Sequence, residues 1–467
     1  MIIPSHILRL YDIRGRVPYE LTPDIARTLG YSFAQSIATH TGRSSLRIVL
    51  GYDGRLSSPA LAQAAAEGMS QAGSDVIWVG LVPTPMVYFG VNHIQAEAGM
   101  MITGSHNPAD FNGFKLLSHT GPFWNEQIRN LPQFSTEPPF ADPGKITENS
   151  LLAPYLECIT ETLPQTAPKL KLAWDPGHGA VAAVLSELLR HIPAEHICIN
   201  NAVDGTFPAH HPDPTVPENL EQLREVVLSH DCHLGIAFDG DGDRLGVIDR
   251  DGTVLWGDQL LGLFAADVLS RHPGATIIGD VKVSETIFEF IRHSGGVPYL
   301  SPTGHSIIKS KLRETGALLA GEMSGHMFFA DEYAGYDDAL YAAVRLCRLL
   351  LQDPEALSKY RAQLPKTYTT PELRIQCDDT LKLKVITAIS AALKAQGQTF
   401  DDLDGVRVRN HHGWWLLRAS NTQDALVARC ESTTAAGLSA LIQELTSILN
   451  LCHIDCADLH SQLLKAS

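Results

Sequence analysis

One pattern, met three times along the chain, constrains the fold more than any other feature. Leu46 to Leu50 is a short apolar run, Gly51-Tyr52-Asp53-Gly54-Arg55 a loop, Pro59 to Ala72 a helical stretch and Val76 to Val79 a second apolar run. A second copy starts at Lys169 to Trp174, with the loop Asp175-Pro176-Gly177-His178-Gly179 and a helix over Ala182 to Leu189. The third runs from Ala275 through Gly279-Asp280-Val281-Lys282, a helix over Glu285 to His293 and a strand over Val297 to Leu300. Strand, Asp/Gly loop, helix and strand again is the signature of βαβ units with parallel strands. Ligands collect at loops on the carboxyl ends of such strands. The pattern predicts three related α/β domains with mixed, largely parallel sheets, each carrying a site at an equivalent edge.

The last hundred residues differ. Leu381 to Gln396 places Val385, Ile386, Ile389 and Leu393 on one helical face. Val406 and Val408 alternate with Arg407 and Arg409, Trp414 to Arg418 and Ala425 to Cys430 read as strands, and Leu438, Leu441, Ile442 and Leu445 mark a closing helix. That is an α+β domain with an antiparallel sheet. Pro-rich polar stretches near Pro132 to Pro143 and near Pro365 read as linkers. The expected domains are 1–145, 146–250, 251–365 and 366–467, arranged around a central cleft.

With 467 residues, 44% hydrophobic and 19% charged, the chain has the make-up of a soluble protein of several domains. No apolar run approaches membrane-spanning length. Met1 to Leu10 lacks the pattern of a signal peptide, and eight irregularly spaced cysteines argue for reduced thiols, so a cytoplasmic location is expected. The net charge of −16 argues against a nucleic-acid partner. It also requires Arg and Lys to be concentrated wherever an anionic substrate binds.

Asp239-Gly240-Asp241-Gly242-Asp243-Arg244 lies between two apolar runs, Leu234 to Phe238 and Leu245 to Ile248, that read as buried strands. Carboxylates two residues apart repel one another, and a hard divalent cation held by oxygens compensates them, with Mg²⁺ the first choice. The plain alternative is a tight Asp/Gly hairpin. An EF-hand is excluded, because its sixth position needs Gly and its twelfth Glu, where Arg244 and Arg250 stand. A dinucleotide fingerprint is disfavoured, since the carboxylates would repel a pyrophosphate.

Three more loops carry candidate chemistry. Thr103-Gly104-Ser105-His106-Asn107-Pro108 puts Ser105 in a sharp turn beside a basic imidazole, with Lys115 near in sequence. Asn107 stands where a hydrolase elbow needs Gly. A phosphate on Ser105 would add one more oxygen ligand to a metal. Gly321-Glu322-Met323-Ser324-Gly325-His326 offers groups for sugar hydroxyls and an imidazole for a proton. Arg418-Ala419-Ser420-Asn421-Thr422 is a candidate anion nest. Ordinary turns remain the alternative for each.

Together with Tyr11-Asp12-Ile13-Arg14-Gly15, these loops resemble the α-D-phosphohexomutase superfamily. Asp53-Gly54-Arg55-Leu56-Ser57-Ser58-Pro59, His211-Pro212-Asp213-Pro214, Thr303-Gly304-His305-Ser306 and Gly335-Tyr336-Asp337-Asp338-Ala339 extend the match over nearly the whole chain, in the expected order. Met323 is similar to the bacterial phosphomannomutase/phosphoglucomutase branch, whereas the phosphoglucosamine branch usually has Gln there. The resemblance implies that Ser105 is a phosphoserine and that Asp239, Asp241 and Asp243 hold one Mg²⁺ with it. It implies that Arg14, Lys115 and Arg244 neutralise the transferring phosphoryl group, and that His326 moves a proton. Glu322 and Ser324 would read sugar hydroxyls, with Tyr11, Lys282 and His305 nearby. Arg418, Ser420, Asn421 and Thr422 would grip the phosphate that is not reacting.

The implied reaction interconverts the 1- and 6-phosphates of mannose and glucose. It passes through a hexose 1,6-bisphosphate, which also serves as activator, and the enzyme is expected to be a monomer. Phosphoglucosamine mutase is the nearest rival. A non-catalytic sugar-phosphate sensor would not need a phosphorylatable Ser105 beside three aspartates, and a phosphatase would pass the phosphoryl group to water. Three departures from the family pattern stand out. Gln423-Asp424 replace a usual Glu or Thr followed by Pro, Tyr52 and Glu285 occupy positions where Arg is common, and a tail follows Asn450. In that tail Cys452, Cys456 and His460 would share one helical face, as a soft-metal site or as part of an extension packing through Ile454 and Leu459.

Overall fold

In each of the first three sheets one strand ends at an aspartate loop and has a parallel partner on both sides. Arg47–Tyr52 pairs with Asp75–Leu81 and Ala98–Ile102. Lys171–Asp175 pairs with Glu195–Cys198 and Leu234–Phe238, and Thr276–Asp280 with Val297–Ser301 and Leu319–Gly321. The computed structural model describes residues 3–164, 169–420 and 425–451.

Each parallel core then turns back on itself. Ala98–Ile102 runs antiparallel to Phe111–Ser118, Leu234–Phe238 to Leu245–Asp249, and Leu319–Gly321 to Met327–Phe329. The βαβ pattern does not reveal this return, yet it is what builds the site. It places the Ser105 loop, the Asp239 to Arg244 loop and the Glu322 to His326 loop at corresponding points of three sheets. The fourth sheet is wholly antiparallel around Ala425–Ser432, Gly413–Ala419 and Val406–Asn410.

The largest apolar cluster is shared by the first three units. It joins Met86 and Val87 to Tyr155 and Ile159, to Trp174 and Phe238, and on to Phe264, Leu340 and Leu346. Continuous burial at about 25 cal/mol per Å² welds these units into one body. The fourth has its own core around Leu373, Ile389, Trp415, Leu417 and Leu445. It meets the third through a small cluster of Val281, Trp414 and Leu416. The rest of that contact is polar. Arg429 Nη1 donates to Lys282 O at 2.5 Å and to Asp258 Oδ2 at 3.3 Å, and Ser284 Oγ donates to Glu431 Oε1 at 2.6 Å. A polar junction of this kind is one at which a domain can swing.

Glu285 has a partner at that junction. Its Oε2 lies 3.5 Å from Arg407 Nη2 and 3.4 Å from Arg409 Nε, so the acid faces arginines of the fourth unit. The stretch read as a linker near Pro132 to Pro143 is fastened to the first unit instead. Tyr31 Oη donates to Glu137 O and Gln35 Nε2 to Pro138 O, both at 2.7 Å, while Leu131 is buried and Phe140 packs on the core. The expected boundaries after 145 and 250 each precede a short edge strand that pairs backwards. Ile146–Glu148 joins the first sheet and Val254–Leu255 the second.

Candidate active site

Ser105 sits in left-handed backbone, at φ 47°, a conformation a non-glycine residue holds only when its surroundings fix it. Two residues of the Asp53 loop do so. Asp53 Oδ2 accepts from Thr103 Oγ1 at 2.7 Å and from Gly104 N at 3.1 Å, and Oδ1 accepts from Ser58 Oγ at 2.5 Å. Arg55 is buried and spreads its fork over four carbonyls: Ser105 at 2.7 Å, Asn107 at 2.6 Å, Pro108 at 2.5 Å and Phe111 at 2.9 Å. Gly104 is required here, because a Cβ would collide with the Arg55 guanidinium.

The aspartate loop docks on this turn so closely that a Cβ on Gly240 would strike Ser105 O. Ser105 Oγ donates to Asp239 Oδ2 at 2.9 Å. Asp239 Oδ1 accepts from the backbone N–H of Gly242, Asp243 and Arg244 at 3.0, 3.1 and 3.1 Å, which curls the loop around its first carboxylate. Thr84 Oγ1 donates to Asp241 Oδ2, and Lys115 Nζ donates to Asp241 Oδ2 at 2.7 Å and also to Asp243. Burial raises Asp239 well above the usual carboxylate range, with Asp241 and Asp243 adding to it. Burial acts the same way on Asp241, but Lys115 and Thr84 outweigh it and hold that carboxyl below its ordinary value.

The three carboxylates fit a hard cation. One oxygen from each lies within 4.8 Å of the others, all three residues are buried, and Asp241 Oδ1 and Asp243 Oδ1 have no hydrogen-bond partner among the described residues. Orphaned buried carboxylate oxygens are costly, and a divalent ion relieves them.

A second charged cluster adjoins the first. Arg244 Nε donates to His326 Nε2 at 3.0 Å, and His326 Nδ1 lies 3.3 Å from Asp337 Oδ2 and 3.6 Å from Asp243 Oδ1. His305 stacks on His326 with ring centres 5.8 Å apart, and Lys309 Nζ donates to Asp337 Oδ1 at 2.8 Å. Arg14 Nε donates to Asp12 Oδ2 at 2.7 Å, and its Nη1 to Asn107 Oδ1 at 3.3 Å, on the rim of the serine turn. His106 Nδ1 lies 3.2 Å from Ser105 Oγ, so the imidazole read from sequence does adjoin the serine. Burial and then the charges of Arg244, Arg14 and Lys115 hold the pKa of this ring well below the imidazole range.

Thr303 ties the remaining loops together. Its carbonyl accepts from Tyr11 Oη at 2.7 Å, its Oγ1 donates to Asp280 Oδ2 at 2.9 Å, and its N–H donates to Asp404 Oδ2 at 3.0 Å. Asp404 Oδ2 also accepts from Arg418 Nε at 3.0 Å, so Arg418 is anchored next to the Thr303 loop. Glu322 Oε1 accepts from Gly304 N at 2.7 Å, Ser324 is half-buried, and Lys282 Nζ lies 3.4 Å from Glu372 Oε2. Ser420 is buried, its N–H donates to Ala425 O at 2.9 Å, and its carbonyl accepts from Lys382 Nζ at 2.5 Å. Asn421, Thr422, Gln423 and Asp424, and the tail with Cys452, Cys456 and His460, lie outside the described residues.

Sequence reasoning missed Thr84, Lys309 and Asp404 altogether, and quoted Asp53, Arg55 and Asp337 without a role. Lys309 stands four residues after His305, a spacing that puts both on one helical face. Nothing local signals Thr84 or Asp404.

Matches to known proteins cover the same ground. Residues 6–133, 153–252 and 256–368 match the phosphoglucomutase/phosphomannomutase alpha/beta/alpha domains I, II and III, and 372–448 the C-terminal domain. The chain is 41% identical over 442 residues to a phosphomannomutase/phosphoglucomutase of Pseudomonas syringae pv. tomato, spanning 94% of both chains. It is 39% identical over 452 residues to a phosphoglucomutase of Neisseria meningitidis, spanning 96% of this chain and 97% of that one. The crystal structure of a phosphoglucomutase/phosphomannomutase family protein from Burkholderia thailandensis superposes with a TM-score of 0.89 at 37% identity, covering 97% of this chain and 98% of that one. The chain belongs to the phosphoglucomutase/phosphomannomutase family, in the bacterial branch of the α-D-phosphohexomutases, and is an isomerase that transfers a phosphoryl group.

Proposed function

We propose that this phosphohexomutase interconverts hexose 1-phosphate and hexose 6-phosphate, with both mannose and glucose, through a phosphorylated Ser105. The observation that carries the reading is the 2.9 Å contact from Ser105 Oγ to Asp239, in a buried cage that Arg14 and Lys115 enter from paired strands and Arg244 from the aspartate loop. Mg²⁺, held by Asp239, Asp241, Asp243 and an oxygen of phosphorylated Ser105, would supply positive charge against the phosphoryl oxygens.

The side chains divide the remaining work. A free sugar hydroxyl attacks phosphorus, the P–Oγ bond to Ser105 breaks, and the hydroxyl proton passes to His326. Arg244 Nε donates to His326 Nε2, so this nitrogen carries a lone pair that becomes available to the hydroxyl proton as Arg244 turns to the phosphoryl oxygens. Lys115, Arg14 and Arg244 offset the charge spread over the transferring oxygens. The resulting 1,6-bisphosphate turns around, Ser105 Oγ takes the other phosphoryl group as its P–O bond to the sugar breaks, and the sugar oxygen recovers the proton from His326. Arg418, Ser420, Asn421 and Thr422 grip whichever phosphate is idle, while Glu322, Ser324, Tyr11, Lys282 and His305 orient the sugar. The polar junction to the fourth unit supports an opening between the two half-reactions. Cys158, Cys198, Cys232, Cys347, Cys377 and Cys430 are free thiols, which supports a reducing, cytoplasmic setting. The expected monomer belongs to the same reading.

A turnover assay decides it. Mannose 1-phosphate and glucose 1-phosphate are supplied with Mg²⁺ and a trace of hexose 1,6-bisphosphate, beside Ser105→Ala and Asp241→Ala. Formation of 6-phosphates that disappears in both variants is expected. Turnover of glucosamine 1-phosphate alone would favour the rival sugar, and release of inorganic phosphate without 6-phosphate would overturn the mutase.

A further inference from the structure

Lys309 has no part in the roles above, yet it is buried at a junction of the first and third units. It lies on the helix His305–Thr315, one turn beyond His305. Its Nζ donates to Asp337 Oδ1 at 2.8 Å and to His305 Nδ1 at 3.1 Å, and it stands 4.3 Å above the ring of Tyr88, which belongs to the helix Thr84–His93.

We propose that Lys309 is a positioning residue that fixes the proton of His305 on Nε2 and so makes that ring a hydrogen-bond donor to the hexose phosphate. The proposal rests on the mutase reading for its substrate. An ammonium group only donates, so the imidazole nitrogen facing it must accept. Burial and then the charge of Lys309 hold His305 well below the imidazole range, which keeps the ring neutral. Burial lowers Lys309 as well, with Asp337 working against it. A neutral imidazole that accepts at Nδ1 carries its single proton on Nε2.

Asp337 makes the contrast sharp. Its Oδ2 lies 3.5 Å from the same His305 Nδ1. Without Lys309, a carboxylate would be the polar neighbour of that nitrogen, and the ring would move its proton to Nδ1 to donate to it. Nε2 would become an acceptor, unable to donate to a phosphate or hydroxyl oxygen. The aromatic face of Tyr88 favours the ammonium where it stands, so the packing of the first unit on the third supports the correct tautomer.

The test uses full-length protein labelled with ¹⁵N-histidine, with the His305 signals identified by their loss in His305→Gln. Long-range ¹H–¹⁵N spectra should show His305 protonated at Nε2 in the wild type and at Nδ1 in Lys309→Met. A wild-type ring protonated at Nδ1 overturns the proposal, and that spectrum suffices if the variant does not fold. In turnover, Lys309→Met should lower kcat/KM for hexose 1-phosphate by about ten- to a hundredfold. Added to His305→Gln, it should cost less than about a further twofold. A full additive loss in the double variant would mean that Lys309 does not act through His305. The spectra need no turnover, so an inactive wild type would sink the mutase reading and leave the tautomer assignment standing.

Discussion

Lys115 Nζ stands 2.7 Å from Asp241 Oδ2 and donates to Asp243 as well, so a buried ammonium holds one oxygen of each of two carboxylates whose other oxygens, without a hydrogen-bond partner among the described residues, are open to a cation. Burial opposes its charge, but these two carboxylates hold its pKa above the ordinary lysine value. Lysine and cation therefore compete for one pair of acids. Removing the lysine leaves those acids unpaired, at a cost of roughly 3 kcal/mol or more in the absence of metal. Lys115→Met should melt below the wild type in chelator and gain more from added Mg²⁺ than the wild type gains. Thermal melts of both proteins with and without Mg²⁺ read this directly. Equal Mg²⁺ shifts would show that Lys115 and the ion do not share these ligands.

While Asp53 holds the Ser105 turn through Thr103 Oγ1 and Gly104 N, Arg55 holds it through the turn's carbonyls. Its guanidinium reaches the carbonyls of Ser105 and Asn107 through Nη2 and those of Pro108 and Phe111 through Nη1. Lysine has one nitrogen and cannot span four acceptors. Arg55→Lys should lose about 3 kcal/mol or more of stability and reduce phosphorylation of Ser105 by hexose 1,6-bisphosphate. Urea unfolding with radiolabelled phosphate transfer measures both. Normal phosphate incorporation in the variant would show that the turn keeps its shape without the fork.

Elements with a local pattern were legible. The helices Ala182–Leu189 and Glu285–His293 occur where the periodicity places them, because each buries apolar residues three and four apart, Val184, Leu185 and Leu188 in one and Ile287, Phe288 and Ile291 in the other, without a breaker. The aspartate loop was legible too, since three carboxylates in five residues are a local chemical demand. What stayed hidden is pairing at long range. Ser105 and Asp239 are 134 residues apart and meet only through two antiparallel returns. Thr84 reaches Asp241 because a helix of the first unit packs on the second. The low pKa of His106 was hidden because it depends on burial and on Arg244, Arg14 and Lys115, none adjacent in sequence. The Pro132 to Pro143 stretch looked like a linker because its anchors, Tyr31 and Gln35, lie about a hundred residues upstream.

Asp404 joins the fourth unit to the third, accepting from Arg418 Nε and from Thr303 N through the same Oδ2, each at 3.0 Å. A charge-assisted bridge of this kind contributes about 1.5–3 kcal/mol. In Asp404→Ala the arginine loses an anchor and the fourth unit one of its tethers. The KM for hexose 1-phosphate should rise by about tenfold, with kcat changing less, and small-angle scattering should record a larger radius of gyration. A variant with unchanged KM and unchanged dimensions would show that Arg418 is held by other contacts.

Asp338 gives the fold a pH dependence of opposite sign to an ordinary paired carboxylate. It caps the helix Ala339–Gln352 through Tyr341 N at 2.9 Å and accepts from Tyr333 Oη at 2.8 Å and from Tyr155 Oη at 3.1 Å. Burial outweighs these donors and raises its pKa from 3.8 to about 6. A group raised on folding contributes stability that is complete below its unfolded value and is lost as pH climbs through its folded value. The window here runs from pH 3.8 to about 6. Asp338→Asn stays neutral throughout, so its stability relative to the wild type should improve by about 2 kcal/mol between pH 4 and pH 7. Urea unfolding of both proteins across that range measures the difference. A gap that held constant or moved the other way would mean that the tyrosine hydroxyls, and not burial, govern this carboxylate.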